Sequence, residues 1–351
     1  PVPPDLCYLH NFEGAEHPRA LRMPAGQGRQ LRQLMGQLAK RLQAEIPKRL
    51  AQDDFKAESQ RIREACTIEK DRGYVALSAY AEAHSFGLMR DEGHMVFTLK
   101  DEKGEPVTAG KALARTQQQR VEVEKAEEAL RDEISRYLEK MRAMERVKNE
   151  GLSALRRQTL HPVLERELDV VRQQMTLTPS ASTQLNRYLQ QVQQSVLDNL
   201  ALFEPGDDEM VRLEALDSVL SLYRVNVAVD NHAQSGAPVM VEDNPVFRSL
   251  FGSIEYESDG NELVTDFSQI RAGSLLKAHG GFLMLHLRDL LTDAPGWEKL
   301  RRFMRSGRVQ IEEPGMSLAP MAAVSLEPEA VEVDVKIPFP SAYLTRSKNP
   351  G

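Results

Sequence analysis

The stretch "AHGGFLMLHLRDLL", residues 278–291, sets a glycine pair before a short apolar strand and a charged helix start. Nucleotide-hydrolysing proteins place two carboxylates at the end of such a strand, one to hold magnesium and one to polarise a water. Here His286 and Leu287 stand in those places. Neutral imidazole is a poor magnesium ligand and leucine accepts no proton, so hydrolysis at this position is expected to be weak or absent. Asp289 lies three residues further on and reads as the first-turn acid of the helix it enters.

Other residues with chemistry to offer are sparse. His279 and His286 are seven apart with no nearby cysteine, so they read as ordinary hydrogen-bonding histidines, and no metal ligand set is expected. A phosphate-cradling loop needs four residues between its glycines and Ser or Thr after its lysine. The nearest stretch, "GEPVTAGKA" from Gly104, has five residues between the glycines and Ala112 after the lysine, and is set aside. Cys7 and Cys66 are the only cysteines and read as reduced thiols.

Bulk properties narrow the classes. With 351 residues the chain exceeds what one core usually serves, and its start at Pro1 suggests a piece of a longer protein or a processed form. A net charge of -7 gives no support to nucleic-acid binding. The basic run Arg29, Arg32, Lys40, Arg41, Lys48 and Arg49 has interleaved apolar positions and reads as an amphipathic bundle helix. No apolar run approaches the roughly 18 residues of a membrane span, and no secretion signal opens the chain, so a cytoplasmic location is expected.

The elements that would position these residues fall into zones. Residues 1–26 hold a first strand, Cys7 to Phe12, and a turn-rich connection with Pro18, Pro24, Gly26 and Gly28. Residues 27–215 are mostly helical: Leu31, Leu34, Leu38 and Leu42 form a stripe that Pro47 is expected to interrupt, and a second helix runs from about Asp54 to His84. A small β-hairpin is expected near 86–99. Over 111–175, Val123, Leu130, Tyr137 and Met144 recur every seven residues, which suits an antiparallel helical hairpin or coiled coil with breaks at Gly151 and Thr159 to Pro162. Residues 216–336 alternate strands and helices, an α/β pattern. Pro338 and Pro340 stop that pattern, and 337–351 are expected to be a disordered tail.

Six blocks carry a resemblance: "PPDLCYLHNFEGAEHPRALRMPAGQGRQL", "YRVNVAVDN", "GAPVMVEDNPVFRSLFGSIEY", "VTDFSQIRAGSLLKAHGGFLML", "WEKLRRFMRSGRVQIEE" and "LEPEAVEVDVK". Together, from about Pro3 to Lys336, they resemble the Lon-related ATP-dependent protease family, AAA+ proteins with a large helical insertion. The resemblance implies a partial AAA+ (P-loop NTPase-like) sheet in two pieces, 1–26 and 216–336, flanking an inserted 27–215. In that family the phosphate-binding loop precedes the segment corresponding to Pro1, and a Ser-Lys protease domain follows that corresponding to Lys336. Ser341 lacks the family's flanking glycines, so no catalytic residue is assigned in this chain. The implied cofactor is ATP with magnesium, and the implied partners are further copies in a homo-oligomeric ring and unfolded or damaged protein substrates. His286 would correspond to the family's magnesium-holding aspartate and Leu287 to the glutamate of hydrolysing relatives. Arg301, Arg302 and Arg305 sit where such proteins reach a neighbouring subunit's nucleotide, or form a solvated basic face. Phe251 and Tyr256 lie in the segment that could line an axial pore and grip substrate, or pack in the core. A non-enzymatic oligomerisation or substrate-binding module remains the alternative.

Overall fold

The computed structural model describes residues 2–91, 94–101, 104–107, 116–206, 208–259, 262–313 and 325–338. They form two compact units, one of residues 1–47 with 162–351 and one of residues 48–161. The second unit is narrower than the helical zone read from periodicity. Residues 27–47 and 162–215 fall in the first unit.

Strand β1 (Asp5–Leu9) is buried throughout and lies between two antiparallel partners, β2 (Arg19–Met23) and β5 (Val225–Val229). The connection read as turns thus contains a strand. Between Pro18 and Pro24, Leu21 and Met23 point inward while the alternate residues stay in part exposed, and Cys7 faces Leu21 across the ladder. The buried carboxylate of Asp5 ties this sheet to the first turn of the next helix and to the end of β5. Its oxygens accept the backbone N–H groups of Gly28 at 2.8 Å and Asn231 at 2.7 Å.

Helix α1 (Gln27–Leu50) buries Leu31, Leu34, Leu38 and Leu42 along one stripe. Pro47 does not end it, and the helix runs on to Leu50. In the last turn a proline removes one ladder hydrogen bond while its φ still suits the helix. In the unit of residues 48–161, helix α2 (Asp53–Ala83) lies antiparallel to the long helix α3 (Gln117–Gln174), with Lys140 reaching Glu69 at 3.3 Å, Lys70 paired to Glu145, and Ile62 beside Gly151. Leu130, Ile134, Tyr137 and Met141 of α3 pack with Leu77 and Ala81 of α2 and with Phe86. The breaks expected at Gly151 and Thr159 to Pro162 do not occur: α3 is one helix of 58 residues. A glycine costs about 1 kcal/mol and a proline about 3 in a helix interior, and side chains buried on either side of them, such as Leu152 and Leu164, outweigh this. The heptad stripe meets α2 rather than a later part of its own segment. Strands β3 (Phe86–Asp91) and β4 (His94–Leu99) pair antiparallel, with Phe86 in the α2–α3 core and the half-buried Leu88 and Phe97 packed against it.

Helices α4 (Pro179–Asp198) and α5 (Glu209–Ser221) are capped by Thr178 and Asp208, each accepting a first-turn N–H, and α4 packs on β2. The remaining chain builds a parallel sheet of β6 (Val239–Glu242), β11 (Gly281–Leu285) and β14 (Val335–Lys336), with β11 central. Helices α6 (Phe247–Phe251), α7 (Ser274–Lys277), α8 (Leu287–Leu290) and α9 (Ala294–Ser306) supply Leu250, Leu275, Leu290, Leu300 and Phe303 to the core over Leu283 and Leu285. The opposite face leaves Val239, Val241, Phe282 and Met284 exposed. Short antiparallel pairs complete the unit: β7 (Ser253–Ile254) with β10 (Ile270–Arg271), β8 (Glu257–Asp259) with β9 (Glu262–Val264), and β12 (Arg308–Val309) with β13 (Val331–Glu332). The architecture is therefore mixed α/β with helices and several small sheets. Most of the tail expected to be disordered (339–351, with Ser341) and residues 108–112 of the Gly104 stretch lie outside the described residues.

Candidate functional site

The C-terminal end of β11 is where an open parallel sheet presents ligands, and the sequence brings it there by alternation. Gly281, Leu283 and Leu285 point into the core, and Phe282 and Met284 point out. Gly281 has to be glycine, because a Cβ there would stand 2.0 Å from the Pro238 carbonyl oxygen, just before β6. The register pairs Met284 with Val241 and Leu285 with Glu242. One step further along both strands, His286 meets Asp243: Nε2 lies 4.0 Å from Oδ1.

His286 precedes the first residue of α8, its side chain makes no capping bond, and both it and Leu287 are exposed. Asp289 lies in the first turn of that short helix, and its backbone N–H bonds the His286 carbonyl at 3.1 Å. As a magnesium site this donor set does not fit. Magnesium requires near-octahedral oxygen ligation, whereas one imidazole faces one carboxylate that is 88 % exposed, and Leu287 offers no donor. Among the described residues no group of three or more His, Cys, Asp and Glu could hold a metal ion. His279 and His286 flank opposite ends of β11 and do not meet.

The other candidates separate by exposure. Arg301, Arg302 and Arg305 all lie on the solvent side of α9, opposite the buried Leu300 and Phe303; Arg302 has Glu298 at 3.9 Å. Phe251 has no exposed surface; its ring lies 5.3 Å from that of Phe247. Tyr256, by contrast, is half-buried beside Ile254, Ile311 and Glu313 in a shallow cavity. Burial raises its phenol above the usual range, and nearby Glu313 adds to this.

Sequence reasoning passed over the residues that hold this region in place. Lys299 of α9 stacks its ammonium over the rings of Phe247 at 4.6 Å and Phe251 at 4.8 Å, donates to the Gln310 carbonyl at 2.9 Å and pairs with Glu312 at 2.8 Å. Burial holds its pKa below the usual lysine range, with the Glu312 bond opposing. Glu313, 4 % exposed, accepts from the Ile254 N–H at 2.9 Å and pairs with Arg248 at 2.5 Å. Asp293 accepts the Phe247 N–H at 2.5 Å, joining α9 to α6. "EKLRRF" and "IEE" give no sign of these partners, because each lies on another element.

No helix among the described residues is long and apolar enough to cross a membrane. Residues 235–341 match the family model of the LonB-like AAA domain, a stretch that takes in the parallel sheet and α6 to α9. Residues 5–38 match that of the Lon-like LonC helical domain and span β1, β2 and the first half of α1. No curated protein matches the chain. Two matches to Lon-type models, at separate places that carry β11 with its His286 end and strands β1 and β2 beside Asp5, support a Lon-related family for this chain.

Proposed function

We propose that this chain is the AAA and helical portion of a Lon-type ATP-dependent serine protease, acting in an oligomeric ring that admits unfolded or damaged proteins and hydrolysing ATP weakly or not at all. The observation that carries the last clause is the end of β11. Where hydrolysis needs a carboxylate for magnesium and another for water, an imidazole and an isobutyl group face solvent. The ring is supported by the basic outer face of α9, where the exposed Arg301 and Arg305 can reach a neighbouring copy. Substrate contact is supported by Tyr256, whose amphipathic ring is partly exposed.

Steady-state ATP turnover by the purified polypeptide, with and without His286→Ala, tests this reading. We expect turnover at background and no change in the variant. Brisk turnover abolished by His286→Ala overturns it.

A second reading, a non-enzymatic oligomerisation or substrate-binding module, is favoured by one observation. In the unit of residues 48–161, a groove of about 550 Å³ lined by Ile62, Cys66, Met144 and Val147 runs between α2 and α3. Titration with a fluorescent ATP analogue, of the chain joined to the family's upstream phosphate-binding loop, separates the readings, since this module does not bind nucleotide.

A further inference from the structure

At the other end of β11, His279 joins three segments that are far apart in the chain. Its Nδ1 accepts the backbone N–H of Asp334, between β13 and β14, at 3.0 Å. Its Nε2 lies 2.6 Å from Nη1 of Arg22 on β2, and the other terminal nitrogen of that guanidinium donates to the Glu332 carbonyl. Beside it, the Gly280 N–H donates to the Asp334 carbonyl at 2.6 Å, and Gly281 pairs with Val335 where β11 and β14 begin. Both ring nitrogens therefore face donors. A neutral imidazole can accept at one of them, whichever tautomer it takes; an imidazolium can accept at neither.

We propose that His279 is an acid-sensitive latch: its neutral ring, accepting at Nδ1, closes the turn before β11 onto the β13–β14 turn, and protonation opens it. The charged groups around it favour the neutral form on balance. Arg22 from β2 opposes a second cation, Asp334 from the β13–β14 turn favours one, the Glu332 side chain on β13 is exposed, and Lys277 on the preceding α7 is exposed. The buried Tyr8 phenol on β1 bears on Arg22, which is half-buried. Half-burial, aided by Arg22, holds the His279 pKa below 6.5, with Asp334 opposing. A histidine depressed in the folded state contributes stability that is fully present above its unfolded value of 6.5 and is lost as pH falls from there towards the folded value. Opening the latch frees the edge strand β14 from the start of β11, the strand whose far end carries His286.

Side-chain NMR titration of the full chain tests this directly, with amide hydrogen exchange at Asp334 corrected for the intrinsic rate. We expect His279 to titrate below the ordinary histidine value, and Asp334 protection to fall several-fold from about pH 7 to about pH 5. In His279→Gln, neutral throughout, that pH dependence should vanish, and in Arg22→Gln the His279 midpoint should move up. The separate signal of His10, also depressed by burial, serves as an internal comparison. Titration of His279 at or above the ordinary value overturns the proposal without any variant. So does a His279→Gln chain that keeps the same acid-dependent loss at Asp334.

Discussion

Asp5 shows how much one side chain can hold. A carboxylate with no exposed surface is costly unless it is fully bonded, and here two backbone N–H groups, from the first turn of α1 and from Asn231, bond it. Asp5→Ala leaves both donors without their acceptor, and we expect a loss of about 2–4 kcal/mol in urea unfolding. Gly28 belongs to the same contact: a Cβ there would lie 2.9 Å from Cys7 Sγ and 3.1 Å from Asp5 Oδ2. Gly28→Ala should therefore cost about 1–3 kcal/mol, and adding Cys7→Ala should recover part of it; equal losses in the single and double variants would sink this account. Burial also pushes the Cys7 thiol far above its usual range, with Asp5 adding to this, so alkylation of the native protein should fall on half-exposed Cys66.

Among the elements, α3 holds together across residues that would break a shorter or more exposed helix. A Cβ added to its Gly151 would lie 3.7 Å from the nearest side-chain atom, on Ile62, an ordinary contact. Gly151→Ala should thus raise stability by about 0.5–1 kcal/mol through helix propensity alone. Gly73 of α2 is the contrasting case, since a Cβ there would stand 3.0 Å from the Tyr137 ring and 3.4 Å from Met141. For Gly73→Ala we expect no such gain, and thermal melts of the two variants side by side decide the point. A similar crowding fixes the path into α7. A Cβ on Gly252 would meet the Arg271 carbonyl oxygen at 2.3 Å, and one on Gly273 the Leu250 carbonyl oxygen at 2.3 Å.

For the molecule as a whole, each unit has its own core. Leu130, Ile134, Tyr137 and Met141 serve residues 48–161, whereas Leu283, Leu285, Leu300 and Phe303 serve the sheet-bearing unit. Separate cores predict separable stability. Ile134→Ala, a large-to-small change in the first core, should cost that unit about 2–4 kcal/mol while leaving hydrogen-exchange protection in β11 unchanged. Equal loss of protection in β11 would mean that the two units unfold as one.

The sequence by itself determined the local facts. The leucine stripe of α1, the seven-residue spacing of Leu130 and Tyr137, the alternation in "GFLML" and the absence of carboxylates at 286 and 287 are all properties of neighbouring residues, and periodicity and chemistry suffice to read them. Tertiary structure alone decided whatever depends on distant partners. Strand β2 exists because Leu21 finds Cys7 on β1, and β1 finds β5 across more than two hundred residues. Helix α3 passes Gly151 and Pro162 because burial of its flanking apolar residues exceeds the local propensity cost. Phe251 is in the core, and Lys299 lies over it, because α6 and α9 pack together. Hydrophobic burial and buried hydrogen bonds are energies of pairs brought together by the fold, and residue order carries no record of which pairs those will be.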